Sequence, residues 1–160
     1  MMSSQILLPR IMQIGADASR EIPNVLASLN CRRPLIVTDK VMVELGYVTG
    51  ITKCLTQEGI LCDIFDNTVP EPTVASIEDG VAMARDGDYD CIIALGGGSP
   101  IDSAKAISIL AKYGGEMKDY RFPRQVTEQG LPIIAVPTTA GTGSEVTRFT
   151  VITDEKSDEK

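Results

Sequence analysis

The chain has 160 residues, of which 43% are apolar and 23% charged, and its formal net charge is −7. These values fit one globular domain or part of a larger protein, and an acidic chain without a basic, aromatic-rich stripe is a poor partner for nucleic acid. No apolar run is long enough to span a membrane and no signal-peptide pattern opens the chain, so a cytoplasmic location is the default expectation.

In chain order, residues 11–14 read as a short strand closing at Gly15, and residues 17–29 as a helix whose first turn Pro23 disturbs. A buried strand is predicted over 34–38, ending at Asp39. A helix follows over 48–58, stopped by Gly59, and then a strand over 60–65. Thr73 is placed to cap a helix over 74–85 after the extended loop Pro70-Glu71-Pro72. Further strands are expected over 91–95, 132–136 and 149–153. A helix after Gly98 breaks at Gly114-Gly115, and residues 120–130 form a polar surface loop. This alternation implies an α/β fold, a Rossmann-like parallel sheet with helices on both faces. Ligands in such sheets bind at the carboxyl ends of the strands.

The most informative segment is Cys-Ile-Ile-Ala-Leu-Gly-Gly-Gly-Ser-Pro-Ile-Asp at 91–102. A continuously apolar strand runs into three glycines, whose lack of Cβ lets the backbone turn sharply and a ligand approach its amides. Ser99 is then a favoured N-cap, with Pro100 at the first helical position. A helix starting there aims free N–H groups and its positive dipole end at the bend, which suits a phosphate or pyrophosphate. The bland alternative is an ordinary strand-to-helix turn. The segment is neither Gly-x-Gly-x-x-Gly nor a Walker A loop, so P-loop ATP hydrolysis is not expected.

Other polar clusters fall at strand ends. Asp39 suits the ribose hydroxyls of an adenosine, and its charge would repel a 2′-phosphate, favouring NAD over NADP; equally, it could only cap the next helix. Asp102 either forms a capping box with Ser99 or meets the cofactor. The loop 137–147 is dense in small hydroxyl residues that could wrap a cofactor, although its composition also suits a linker. The four cysteines, Cys31, Cys54, Cys62 and Cys91, include no Cys-x-x-Cys pair and read as reduced structural thiols. Histidine, the commonest metal ligand and general base, is absent from the sequence.

Taken together, these residues resemble the iron-containing (group III) alcohol dehydrogenase family. The match is carried by Ile-Val-Thr-Asp-Lys at 36–40, Gly-Gly-Gly-Ser-Pro-Ile-Asp at 96–102 and Pro-Thr-Thr-Ala-Gly-Thr-Gly-Ser-Glu-Val-Thr at 137–147. Val-Ile-Thr-Asp-Glu at 151–155 continues it. The resemblance implies an N-terminal NAD-binding domain, followed in the family by a helical domain that holds a divalent metal, iron or possibly zinc. It places Asp39 at the adenosine ribose and Gly97, Gly98 and Ser99 at the pyrophosphate. Asp102, Thr138, Thr139, Thr142, Thr147, Val151 and Lys160 would complete the cofactor site, and Phe149 would narrow the substrate pocket.

One departure is Glu71, where many members carry asparagine; a carboxylate cannot donate the amide's hydrogen bonds. Family metal ligands lie beyond the sequence given, so no residue here is assigned to metal. Residues 1–160 are therefore expected to be one dinucleotide-binding domain of a longer NAD-dependent alcohol dehydrogenase, inactive alone and homo-oligomeric when full length, acting on a small alcohol or aldehyde. Two alternatives stay open at this point: a dehydroquinate synthase or glycerol-1-phosphate dehydrogenase-like domain, and a non-catalytic nucleotide-binding module.

Overall fold

The structure is a computed structural model that describes residues 8–124 and 126–155. Four strands, β1 (Pro34–Val37), β2 (Asp63–Phe65), β3 (Cys91–Gly96) and β4 (Ile133–Pro137), form an all-parallel sheet in the order β2-β1-β3-β4. Among the described residues five α-helices connect and cover it: α1 (Ile22–Ser28), α2 (Lys40–Glu44), α3 (Tyr47–Gln57), α4 (Val74–Asp86) and α5 (Gly98–Tyr113). The α/β, Rossmann-like reading of the sequence holds.

Every residue of β1 and β3 is buried. Successive side chains of a strand point to opposite faces, so a sheet covered on both sides needs unbroken apolar runs. Leu35, Val37, Ile92 and Ala94 pack with Ile77 and Val81 of α4 and Ile101 and Ile107 of α5. On the other face Ile36, Ile93 and Leu95 pack with Leu26 of α1 and Ile51 and Leu55 of α3. Helix α4 approaches α5 closely at Gly80, where a Cβ would stand 2.5 Å from the Ile107 Cδ1 and 3.0 Å from the Phe65 ring.

Most predicted elements appear within a few residues of their expected bounds. Pro23 sits at the start of α1, and a single 3-10 turn, Ala18–Glu21, replaces the helical beginning expected at residue 17. Two predicted strands do not form. Residues 11–14 join no ladder, and Ile14 is 91% exposed. Residues 149–153 make only one isolated bridge, Thr153 with Thr73. An apolar run becomes a strand only where a neighbour completes its hydrogen bonds, and the backbone near residue 150 is instead held by α5.

Thr73 behaves as its sequence context predicts. Its hydroxyl accepts the Ser76 N–H at 3.2 Å, while the Ser76 hydroxyl accepts the Thr73 N–H at 2.9 Å, closing a capping box on α4. Thr73→Ala is expected to cost about 1 kcal/mol of stability, measured by urea denaturation. A change within error would show that the box contributes nothing.

Candidate functional site

Because β2 and β3 flank β1 on opposite sides, chain connections diverge from its carboxyl end and leave a crevice between β1 and β3. Thr38, fully buried, fixes this edge. Its hydroxyl donates to the Leu95 carbonyl at 2.8 Å, its N–H donates to Phe65, and its carbonyl accepts the Thr68 hydroxyl at 2.7 Å. One side chain and its backbone thus align the ends of β1, β2 and β3.

Asp39 follows immediately. Its Oδ1 accepts the Met42 N–H at 3.0 Å, capping α2, and its Oδ2 lies 3.5 Å from where a Cβ on Gly96 would be. Both roles foreseen for Asp39 are thus compatible with one rotamer: one oxygen caps, the other faces the glycine bend. Gly96 has φ +142°, a conformation that L side chains rarely adopt, and a Cβ there would come within 2.7 Å of Pro100.

The helix after the bend starts earlier than predicted. Gly97, not Ser99, is the N-cap of α5, and it supplies no capping side chain. Ser99 and Pro100 lie inside the first turn. The amides of Gly98 and Ser99 therefore receive no side-chain cap at the positive end of a 16-residue helix, the geometry in which an anion is bound best.

The hydroxyl-rich loop after β4 covers this bend. The Thr138 N–H donates to the Gly96 carbonyl at 2.9 Å. A Cβ on Gly97 would stand 3.1 Å from the Thr139 hydroxyl, and one on Gly98 would be 3.2 Å from the Thr142 methyl and 3.3 Å from the Ser144 hydroxyl. The glycines thus let the loop close over the turn, and 137–147 is no free linker.

A second cluster sits one turn along α5, about 6 Å from Gly98 at ~1.5 Å rise per residue. Asp102, 8% exposed, forms no capping box with Ser99. Its Oδ2 accepts the Val151 N–H at 3.1 Å, its Oδ1 accepts Lys105 Nζ at 3.3 Å, and its carbonyl accepts the Thr150 hydroxyl at 2.8 Å. Lys105 Nζ also donates to the Phe149 carbonyl at 2.6 Å. Burial pushes the Lys105 ammonium below its ordinary pKa against the opposing pull of Asp102 and Glu145. Lys105 was not singled out from sequence, although its i, i+3 spacing from Asp102 was the available signal.

Phe149, Val151 and Thr147 are exposed beside this cluster, and Phe149 and Thr147 line a groove of about 1470 Å³ that also takes in Lys105 and the exposed side of β4. The groove does not reach Asp39 or Gly97, so the bend and the groove are adjoining parts rather than one cavity. Lys160 lies outside the described residues. Glu71 stands on an exposed turn with φ +51°. Among the described residues, three potential metal-ligating side chains converge only at the opposite end of the sheet, at Cys31, Asp90 and Cys91.

The family model described as "Iron-containing alcohol dehydrogenase" matches residues 9–160. The chain belongs to the iron-containing alcohol dehydrogenase family. It is 37% identical over 155 residues to long-chain-alcohol dehydrogenase 1 of Geobacillus thermodenitrificans, covering 95% of this chain and 39% of that protein. Lactaldehyde reductase of Escherichia coli is 35% identical over 162 residues, with coverage of 99% and 42%. Among solved structures, a 1,3-propanediol oxidoreductase superposes with a TM-score of 0.93 at 35% identity, over 99% of this chain and 41% of that one. Sulfoacetaldehyde reductase from Bifidobacterium kashiwanohense, in complex with NAD+, gives 0.89 at 29% identity, covering 99% and 42%. The chain thus spans about two-fifths of the length of these relatives. The dehydroquinate synthase-like alternative is not favoured by these matches.

In this iron-containing alcohol dehydrogenase family member, Asp102 ties the segment carrying Phe149 and Val151 to α5. Asp102→Asn turns one of the two accepting oxygens into an NH2 donor and removes the charge, so the bonds from Val151 and Lys105 cannot both persist as they stand. Amide exchange at Val151 is expected to speed up by about tenfold or more, the scale of a charge-assisted bond worth ~1.5–3 kcal/mol. Unaltered exchange would mean that Asp102 does not hold this segment.

Proposed function

We propose that residues 1–160 form the NAD-binding domain of a metal-dependent alcohol dehydrogenase that transfers hydride between a small alcohol or aldehyde and NAD. The observation that carries this reading is the uncapped start of α5 beneath three glycines, set at the β1/β3 crevice with the Asp39 carboxylate beside it. The names of relatives support the reaction class, and the NAD+ complex of a structural relative supports the cofactor.

Bound NAD supplies the ring that accepts or returns the hydride. The chain's own groups bind and orient it. The amides of Gly98 and Ser99, with Gly97 giving backbone access, hold the pyrophosphate by hydrogen bonds and helix dipole. Asp39 Oδ2 accepts the ribose hydroxyls and opposes a 2′-phosphate by like-charge repulsion and lack of a donor. Thr138, Thr139 and Thr142 enclose the phosphates from the loop side. Asp102, Thr147, Val151 and Lys160 line the remainder of the cofactor, and the exposed Phe149 ring narrows the approach of the alcohol.

The family name implies iron. The residues at the crevice do not fit a metal: they offer hydroxyls, amides and two separate carboxylates, Asp39 capping α2 and Asp102 bound to Val151 and Lys105, with no histidine in the sequence. The ligands of a divalent metal, iron or zinc, are assigned to the part of the family's length that this chain does not span. No helix among the described residues is long and apolar enough to cross a membrane. A cytoplasmic homo-oligomer with no nucleic-acid partner completes the proposal.

Calorimetric titration of this chain with NAD and NADP tests the cofactor reading. NAD is expected to bind more tightly. Asp39→Asn keeps an equally good N-cap while removing the charge, and should narrow the preference by about tenfold, ~1.4 kcal/mol. A preference unchanged in this variant would remove Asp39 from the ribose site, and no binding of either dinucleotide would remove the whole reading. The chain alone is expected to show no alcohol-dependent NADH formation; metal-stimulated turnover by it would overturn the assignment of the metal ligands elsewhere.

A further inference from the structure

The amino end of the sheet holds a cluster that the cofactor reading does not use. Cys31 lies in the turn after α1, Asp90 immediately precedes β3, and Cys91 opens it. The two Sγ atoms and a carboxylate oxygen of Asp90 all lie within 4.8 Å of one another. Cys91 is fully buried and Cys31 is 6% exposed, while Asp90 keeps partial contact with solvent. β3 separates this cluster from the glycine bend by about 17 Å, at ~3.3 Å per residue.

The carboxylate is held in place before anything binds. Asp90 Oδ2 accepts the Arg32 N–H at 2.7 Å and Oδ1 accepts the Arg33 N–H at 2.9 Å. Such outer hydrogen bonds are how proteins orient ligating groups. The Cys31 thiol lies 3.6 Å from the Leu29 carbonyl and 3.9 Å from the Asp90 carbonyl, both long, weak contacts, and it also meets the Cys91 thiol. Two buried cysteines can be packing alone, since the residue often acts as a small hydrophobe. Packing does not account for an oriented carboxylate brought into the same sphere as both sulfurs, with solvent reaching it from one side.

We propose that Cys31, Cys91 and Asp90 bind a soft divalent cation of the zinc type through two sulfurs and one carboxylate oxygen, leaving a fourth position for water on the solvent side of Asp90. Three protein ligands with an open fourth position suit such a cation. On binding, each thiol loses one proton to solvent, two metal–sulfur bonds form, and no electrons are exchanged. Burial raises both thiols above their ordinary range, so they stay protonated until a cation supplies compensating charge. A cation held there ties the turn after α1 to the first residue of β3 across the strand edge. The site is independent of the cofactor reading.

The test is a titration of Co²⁺ into the reduced, chelator-treated chain, following thiolate-to-cobalt charge-transfer absorption. One equivalent should saturate the signal, and Zn²⁺ should displace it. Cys31→Ser and Cys91→Ser should abolish it, Cys54→Ser and Cys62→Ser should keep it, and Asp90→Asn should weaken binding by at least ~10-fold, the low end of what outer-shell changes alone cost. Circular dichroism checks that each variant folds; Cys31→Ser, placed in a turn, carries the decision if Cys91→Ser unfolds. No absorption with the parent chain, or absorption that survives in a folded Cys31→Ser, overturns the proposal.

Discussion

The Thr38 side chain and backbone hold together everything the crevice requires. A hydroxyl buried without a partner would cost on the order of 1–3 kcal/mol, so Thr38 is tolerated in the core only because Leu95 accepts from it. That bond fixes the residue immediately before Gly96 relative to the residue immediately before Asp39. The bend and the carboxylate therefore share one rigid frame instead of riding on two independent loops. Thr68, bonding to the Thr38 carbonyl, extends the frame to the chain leaving β2.

Sequence made the framework legible where two signals agreed. β1 and β3 combine an apolar run with a sharp polar or glycine stop, and α4 combines helical spacing with Thr73 at its start. The misreadings share a cause. Ser99 looks like a cap because serine before proline usually is one, but the extended backbone at Gly97 lets the helix begin sooner. Residues 149–153 have strand-like composition, yet Thr150 and Val151 bond to Asp102, 48 or 49 positions earlier, Phe149 to Lys105 and Thr153 to Pro72, none of which local pattern can reveal. Thr38 was seen only as the end of a strand. Its role depends on a carbonyl 57 residues away.

The two ends of the sheet differ in chemistry for a topological reason. All strands are parallel, so one edge collects every chain entry and the other every exit. At the exits, glycines and hydroxyl residues replace bulk and leave the first amides of α5 without a side-chain cap. At the entries, Cys31 and Cys91 meet although 59 intervening residues hide any spacing motif. Cysteine spacing along the chain favours reduced structural thiols over disulfides or a zinc site; the parallel pairing of Pro34 with Cys91 brings the turn before β1 beside the start of β3.

Gly80 carries a mechanical implication. A side chain there would press first on the movable Ile107 Cδ1 and then on the Phe65 ring. Because α5 is a single unbroken rod from Gly98 to Tyr113, displacement at its middle is transmitted to its tip. Whatever part of that push Ile107 does not absorb would reach the glycine bend by leverage rather than by contact.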